Sequence, residues 1–207
     1  VWGPQLVHLP LGELVRYSRE ADAHAAQEIA SEMQAAAERI IEPDANAMLG
    51  SARIYLGLRR IVQEYRLDAV AVHCFHLLTP LANTACYALA RLNDEGVPAA
   101  CEADVPSCVT MLSMWYLTGQ PSFLANPSSV DLRTGTVVFV HCTIPPKMCL
   151  RFSLRSHYES NMGVGIAGQP EPGPVTVVRI GGKELRDLFA VRGQLVEYGD
   201  REDLCRT

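Results

Sequence analysis

Leu67-Asp68-Ala69-Val70-Ala71-Val72-His73 is a short apolar run that follows a polar helix end. Bounded by Arg66 on one side and by Cys74-Phe75-His76 on the other, it suits a strand buried on both faces of a sheet. Val97-Pro98-Ala99-Ala100-Cys101 repeats the pattern and ends in Glu102. Between the two runs, residues 82 to 94 read as a helix with Leu89, Ala90 and Leu92 apolar and Asn93-Asp94-Glu95-Gly96 as its stop. A further helix spans 106 to 118, where Pro106 is tolerated in the first turn and Gly119 closes the last. Strand, helix, strand, helix at these lengths implies a parallel sheet with right-handed crossovers, so this part of the chain is α/β.

Working outward to the N-terminal side, residues 22 to 42 place Ile29, Met33, Ala36, Ala37 and Ile40 at helical spacing, up to a stop at Glu42-Pro43. A second helix, capped by Asp44, runs through Met48, Ala52, Tyr55, Leu56, Leu58 and Ile61 to about Arg66. On the C-terminal side the helical signal fades from about residue 129. Residues 136–140, 163–166, 175–180 and 195–198 read as strands, punctuated by Gln169-Pro170-Glu171-Pro172-Gly173-Pro174 and by Gly181-Gly182. The expected organisation is an α/β domain over 1–128 followed by a β-rich portion over 129–207. No repeat or low-complexity tract interrupts it.

The 207 residues, 48% hydrophobic, are enough for a buried core. A formal net charge of -5 with acids and bases interspersed argues against a nucleic acid partner, which needs a clustered basic face. Seven cysteines, an odd number in apolar surroundings without disulfide-framework spacing, point to free thiols in a reducing compartment, the cytoplasm. No apolar run is long enough to cross a bilayer, and the N-terminus carries no basic segment followed by an apolar one, so no membrane association is expected. The chain opens on Val1-Trp2-Gly3-Pro4 without Met and stops at Asp203-Leu204-Cys205-Arg206-Thr207, which reads as a piece of a longer protein.

Open α/β sheets bind ligands outside the carboxyl ends of their strands. Those ends carry His73-Cys74-Phe75-His76, Cys101-Glu102-Ala103-Asp104 and His141-Cys142-Thr143. Capping of the helix near Pro106 accounts for Asp104; it accounts less well for Glu102, which lies outside the first turn. The cysteines lack the paired spacing of a zinc site and read as packed residues. Gly163-Val164-Gly165-Ile166-Ala167-Gly168 has neither the full spacing nor the following helix of a dinucleotide fingerprint and is set aside.

Cys101-Glu102-Ala103-Asp104-Val105, followed by Thr110-Met111-Leu112 and Leu117-Thr118-Gly119, resembles a stretch of L-fucose isomerase and its relatives, L-arabinose isomerase included. Phe123-Leu124-Ala125-Asn126-Pro127, His141-Cys142-Thr143-Ile144-Pro145 and Arg155-Ser156-His157-Tyr158-Glu159-Ser160 extend the resemblance in order, so that it covers 45–207. It implies aldose-ketose isomerisation of a small sugar through an enediol, assisted by a divalent cation, usually manganese, in a homo-oligomer. It makes Glu102 a metal ligand and acid/base, with Asp104 beside it in the motif, and puts His141 at a metal-site histidine. His76, His157 and Glu159 are the candidate substrate contacts. The family's second metal carboxylate falls on Asn126, an amide that offers a carbonyl oxygen but cannot take a proton near neutrality. The resemblance also implies an N-terminal domain and a late histidine ligand outside these residues, so the 207 residues alone are expected to lack a complete site. Two alternatives stay open: a non-catalytic carbohydrate-binding or regulatory relative, and a different metal-assisted reaction on a sugar or sugar phosphate.

Overall fold

The computed structural model describes residues 3–196 and 204–206. Three helices form its first layer: α1 (Leu11–Glu20), α2 (Ala23–Ala36) and α3 (Ala45–Tyr65). The Asp44 carboxylate accepts from the Ala47 N–H at 2.7 Å, and the 21-residue helix that it caps ends where Arg66 turns left-handed. Met48, Ala52, Tyr55, Leu58 and Ile61 are buried along α3, as the sequence implies. Helix α1 was not read from the sequence, and it buries Leu14, Val15 and Tyr17.

The helix expected over 22–42 stops at Ala36, and Arg39–Ile40 form strand β1 instead. Ile40 fits a helical period, but backbone pairing outweighs it: β1 runs parallel to β6 (Cys149–Arg155), with Glu38 N–H donating to Phe152 O and Ile41 N–H to Leu154 O. Strand β6 in turn pairs antiparallel with β7 (Gly165–Pro170), giving a three-stranded sheet.

The two apolar runs that decide the class form β2 (Val70–Ala71) and β3 (Ala99–Ala100), paired in parallel as expected but short. After β2 come a 3-10 turn (Cys74–Leu77), α4 (Leu78–Leu81) and α5 (Cys86–Asp94). The helix expected from 82 therefore starts later, because Ala82 sits at φ 48 and ends α4. Helix α6 (Val105–Thr118) is capped by Asp104 and closed by Gly119 at φ 64, a left-handed turn that glycine adopts without a Cβ clash.

The strand expected at 136–140 is present as β5 (Thr136–Val140), but it does not extend the β2–β3 sheet. It pairs antiparallel with β4 (Asn126–Asp131), which the sequence reading missed because Asn126-Pro127-Ser128-Ser129 carries turn chemistry. Strands β8 (Gly173–Gly181) and β9 (Asp187–Leu195) make a second hairpin. Leu195, expected to open a strand, closes β9; Glu197 and Tyr198 lie outside the described residues.

The glycine run at 163–168 serves packing. A Cβ on Gly168 would lie 2.4 Å from Cys149 Sγ and 2.7 Å from Ile144 Cγ2. One buried cluster joins Met33, Ile54, Tyr55 and Leu58 of the helices to Leu89 of α5 and to Ile144, Leu154, Val164 and Ile166. A smaller cluster, Ala100, Cys108 and Met111, seats α6 on β3. The fold is α/β with a β-rich C-terminal part. Among the described residues, no helix is long and apolar enough to cross a membrane.

Candidate functional site

Strand β3 ends at Ala100, and the chain then passes through Glu102 at φ 59 and Ala103 at φ 51. Two consecutive left-handed residues that carry a Cβ are costly, on the order of 1 kcal/mol each, and such strain concentrates at functional sites. The turn is held by Ala103 N–H to Val72 O and Asp104 N–H to Cys101 O, both 3.0 Å. It sets Glu102 at the carboxyl end of β3, next to the end of β2.

His141 follows β5 and is buried. Its Nδ1 lies 2.8 Å from Thr143 Oγ1, which orients the ring and leaves Nε2 3.7 Å from Glu102 Oε1. That is an ion-pair distance, longer than a hydrogen bond. Asn126 opens β4 and pairs with Val140 across the hairpin, so the backbone that carries His141 also delivers the amide to Glu102. The His141 side chain holds the Glu102 carboxyl below the usual carboxylate range. Partial burial opposes this, the Asn126 amide helps, and the Asp104 charge opposes. Three residues suggested by the sequence, Glu102, Asn126 and His141, thus converge.

Asp104 does something else. Its Oδ1 accepts from Ser107 N–H at 2.9 Å, and its Oδ2 accepts from Ser107 Oγ at 2.7 Å and from Arg179 Nη1 at 2.8 Å. Burial raises its pKa, but the Arg179 guanidinium and the two Ser107 donors outweigh it and hold the carboxyl low. Both oxygens are occupied by the cap and by β8.

The remaining candidates form a second group. Burial of Cys74 and Leu77 in the 3-10 turn leaves His73, Phe75 and His76 exposed. The His76 ring stacks on His73, with centroids 5.0 Å apart and planes 9° apart. Phe75 meets His157 edge-on at 5.3 Å. His157, nearly buried, has Nδ1 3.0 Å from Ser160 Oγ and Nε2 3.8 Å from Glu159 Oε2. The two groups are linked, because Tyr158 N–H donates to Cys142 Sγ, each residue next to a site histidine. The sequence reading missed Thr143, Ser160, Phe75 and Arg179. A hydroxyl two or three residues after a histidine was a usable signal for the first two, whereas only the docking of β8 on α6 reveals Arg179.

A carboxylate, an amide carbonyl and an imidazole suit a hard divalent cation in chemical kind. Glu102, Asn126 and His141 are only part of a full shell, since no group of three His, Cys, Asp or Glu that could hold a metal occurs among the described residues.

No protein-family profile matches the chain. Over 91 residues, 44% of its length, it is 32% identical to a sulfoquinovose isomerase of Clostridium sp. (strain MSTE9). The matched stretch spans 20% of that protein, about a fifth of the relative's length.

Proposed function

We propose that the chain carries part of the active centre of an isomerase that interconverts the aldose and ketose forms of a small carbohydrate. The observation that carries this reading is the pair Glu102 and His141, 3.7 Å apart with Asn126 alongside, presented on a left-handed turn at the end of β3. Similarity to a sulfoquinovose isomerase supports both the reaction class and a sugar as substrate. Glu102, ionised at neutrality, takes the proton from the carbon beside the sugar carbonyl and returns it to the former carbonyl carbon, while the hydroxyl proton of the first carbon passes to the former carbonyl oxygen, which moves the carbonyl by one position through an enediol. His141, fixed by Thr143, orients Glu102 and presents Nε2 to the same space. A divalent cation, manganese first, would be held by Glu102, Asn126 and His141 and would polarise the sugar oxygens. His76, His157 and Glu159 contact the sugar, and Asp104 is kept for capping. The reading extends to a homo-oligomer in the cytoplasm.

One observation favours a second reading. Asn126 stands beside Glu102 where a second proton-handling carboxylate would complete the chemistry, and an amide cannot take that role. A relative that binds a carbohydrate without turning it over fits that substitution. Calorimetry with manganese chloride on the full-length protein and its Glu102→Gln variant, with ketose formation followed from sulfoquinovose, D-glucose, L-fucose and L-arabinose, tests both. The first reading expects manganese affinity and turnover to fall at least about tenfold in the variant. Unchanged manganese affinity overturns the assignment, and sugar binding without turnover by the wild type selects the second reading.

A further inference from the structure

We infer that the turn after β2 is a sugar-contact wall of the same site, with Phe75 as its apolar binding contact. The inference rests on reading Glu102 and His141 as a carbohydrate centre. His73 stacks on His76, Phe75 meets His157, and the neighbour of His157, Tyr158, bonds to Cys142, the neighbour of His141, so four histidines are joined through these contacts. The β2–β3 register places the turn next to the candidate carboxylate: Val72 O accepts from Ala103 N–H, so His73 begins where the Glu102 turn is anchored.

The local sequence explains why rings face outward here. In Cys74-Phe75-His76-Leu77 the first and last residues, 4% and 0% exposed, pin the 3-10 turn to the core. The turn's geometry then leaves Phe75 43% exposed, and its only ring contact among the described residues is His157. A lone exposed phenylalanine is ordinary. Phe75 is not alone: in sequence it lies between the stacked His73 and His76, and in space it meets His157, a buried histidine with Nδ1 3.0 Å from Ser160 Oγ and Nε2 3.8 Å from Glu159 Oε2. An aromatic face flanked by polar groups that donate and accept hydrogen bonds matches a sugar, which has an apolar C–H face and a rim of hydroxyls. Glu159, more than half exposed, supplies an acceptor for those hydroxyls at the open side.

The wall predicts a split in kinetic constants, because contact with a non-reacting face binds ground state and transition state alike. In the full-length protein, Phe75→Ala is expected to raise KM for sulfoquinovose, or the best substrate of the same sugar panel, about three- to tenfold, the range of one ring contact. kcat should stay within about twofold, and Phe75→Tyr should restore KM. Manganese affinity, measured in parallel, should not move. Where sugars bind without turnover, the dissociation constant replaces KM. A Phe75→Ala protein with unchanged KM overturns the wall while leaving the Glu102 centre standing. Equal loss of manganese affinity overturns it too, since it marks general damage to the fold. A wild type that neither binds nor converts any sugar of the panel removes the carbohydrate reading and the wall with it.

Discussion

Nε2 of His141 lies 3.7 Å from Oε1 of Glu102, although 39 positions apart in sequence, because the β4–β5 hairpin folds back on the turn that follows β3. The imidazole is buried and tethered through Nδ1, whereas the carboxylate side chain is 45% exposed. One partner is fixed and the other reaches solvent, an arrangement suited to a group that must meet a ligand.

The turn that presents Glu102 can be tested by relieving it. Ala103 sits at φ 51, where a Cβ is unfavourable and glycine is not. Ala103→Gly should raise the free energy of unfolding by about 0.5 to 1 kcal/mol, the left-handed penalty less the extra entropy of glycine in the unfolded chain. Urea denaturation measures it, and a loss of stability would show that the turn is not strained.

Asn126→Asp adds a charge beside Glu102. The expected result is tighter manganese binding, by about tenfold or more, with higher isomerase turnover if the second proton-handling group is what the wild type lacks. A wild type that already turns over aldoses at about 1 to 1000 per second would show that the amide does not hold the chemistry back.

Asp104 gives a stability prediction with a pH sign. Its folded pKa is held below the ordinary 3.8, so its contribution is present above that pH and disappears as pH falls through the lower folded value. Asp104→Ala should cost about 1 kcal/mol at pH 7, from loss of the α6 cap. The cost should shrink in acid well below pH 3.8, as the wild-type carboxyl itself becomes protonated. Thermal unfolding at neutral and acid pH compares them; a deficit that persists in acid would rule out the charged cap as its source.

All seven cysteines are free thiols in the structure. Burial pushes the Cys108 thiol up to about 11 and Cys149 up to about 12, so both should react slowly with an alkylating reagent at pH 8 in the native protein. Unfolding without reductant should release seven reactive thiols. A reproducible shortfall of two would reveal a disulfide.

The sequence by itself determined the class and the local stops. Short apolar runs at 67–73 and 97–101 located β2 and β3, Asp44 and Asp104 announced the caps of α3 and α6, and Gly119 announced an end, because each signal is carried by adjacent residues and their immediate hydrogen bonds. The motifs around Glu102, Asn126 and His141 named the group that the fold brings together. Tertiary structure alone decided that Ile40 lies in a strand, where the partner 114 positions away, Leu154, supplies the pairing that a helical period cannot foresee. It also decided that the strand before His141 belongs to a hairpin with Asn126, since pairing partners are chosen by long-range packing. For the same reason Asp104 meets Arg179 and Phe75 meets His157: those contacts depend on how separate elements dock, and no local pattern encodes them.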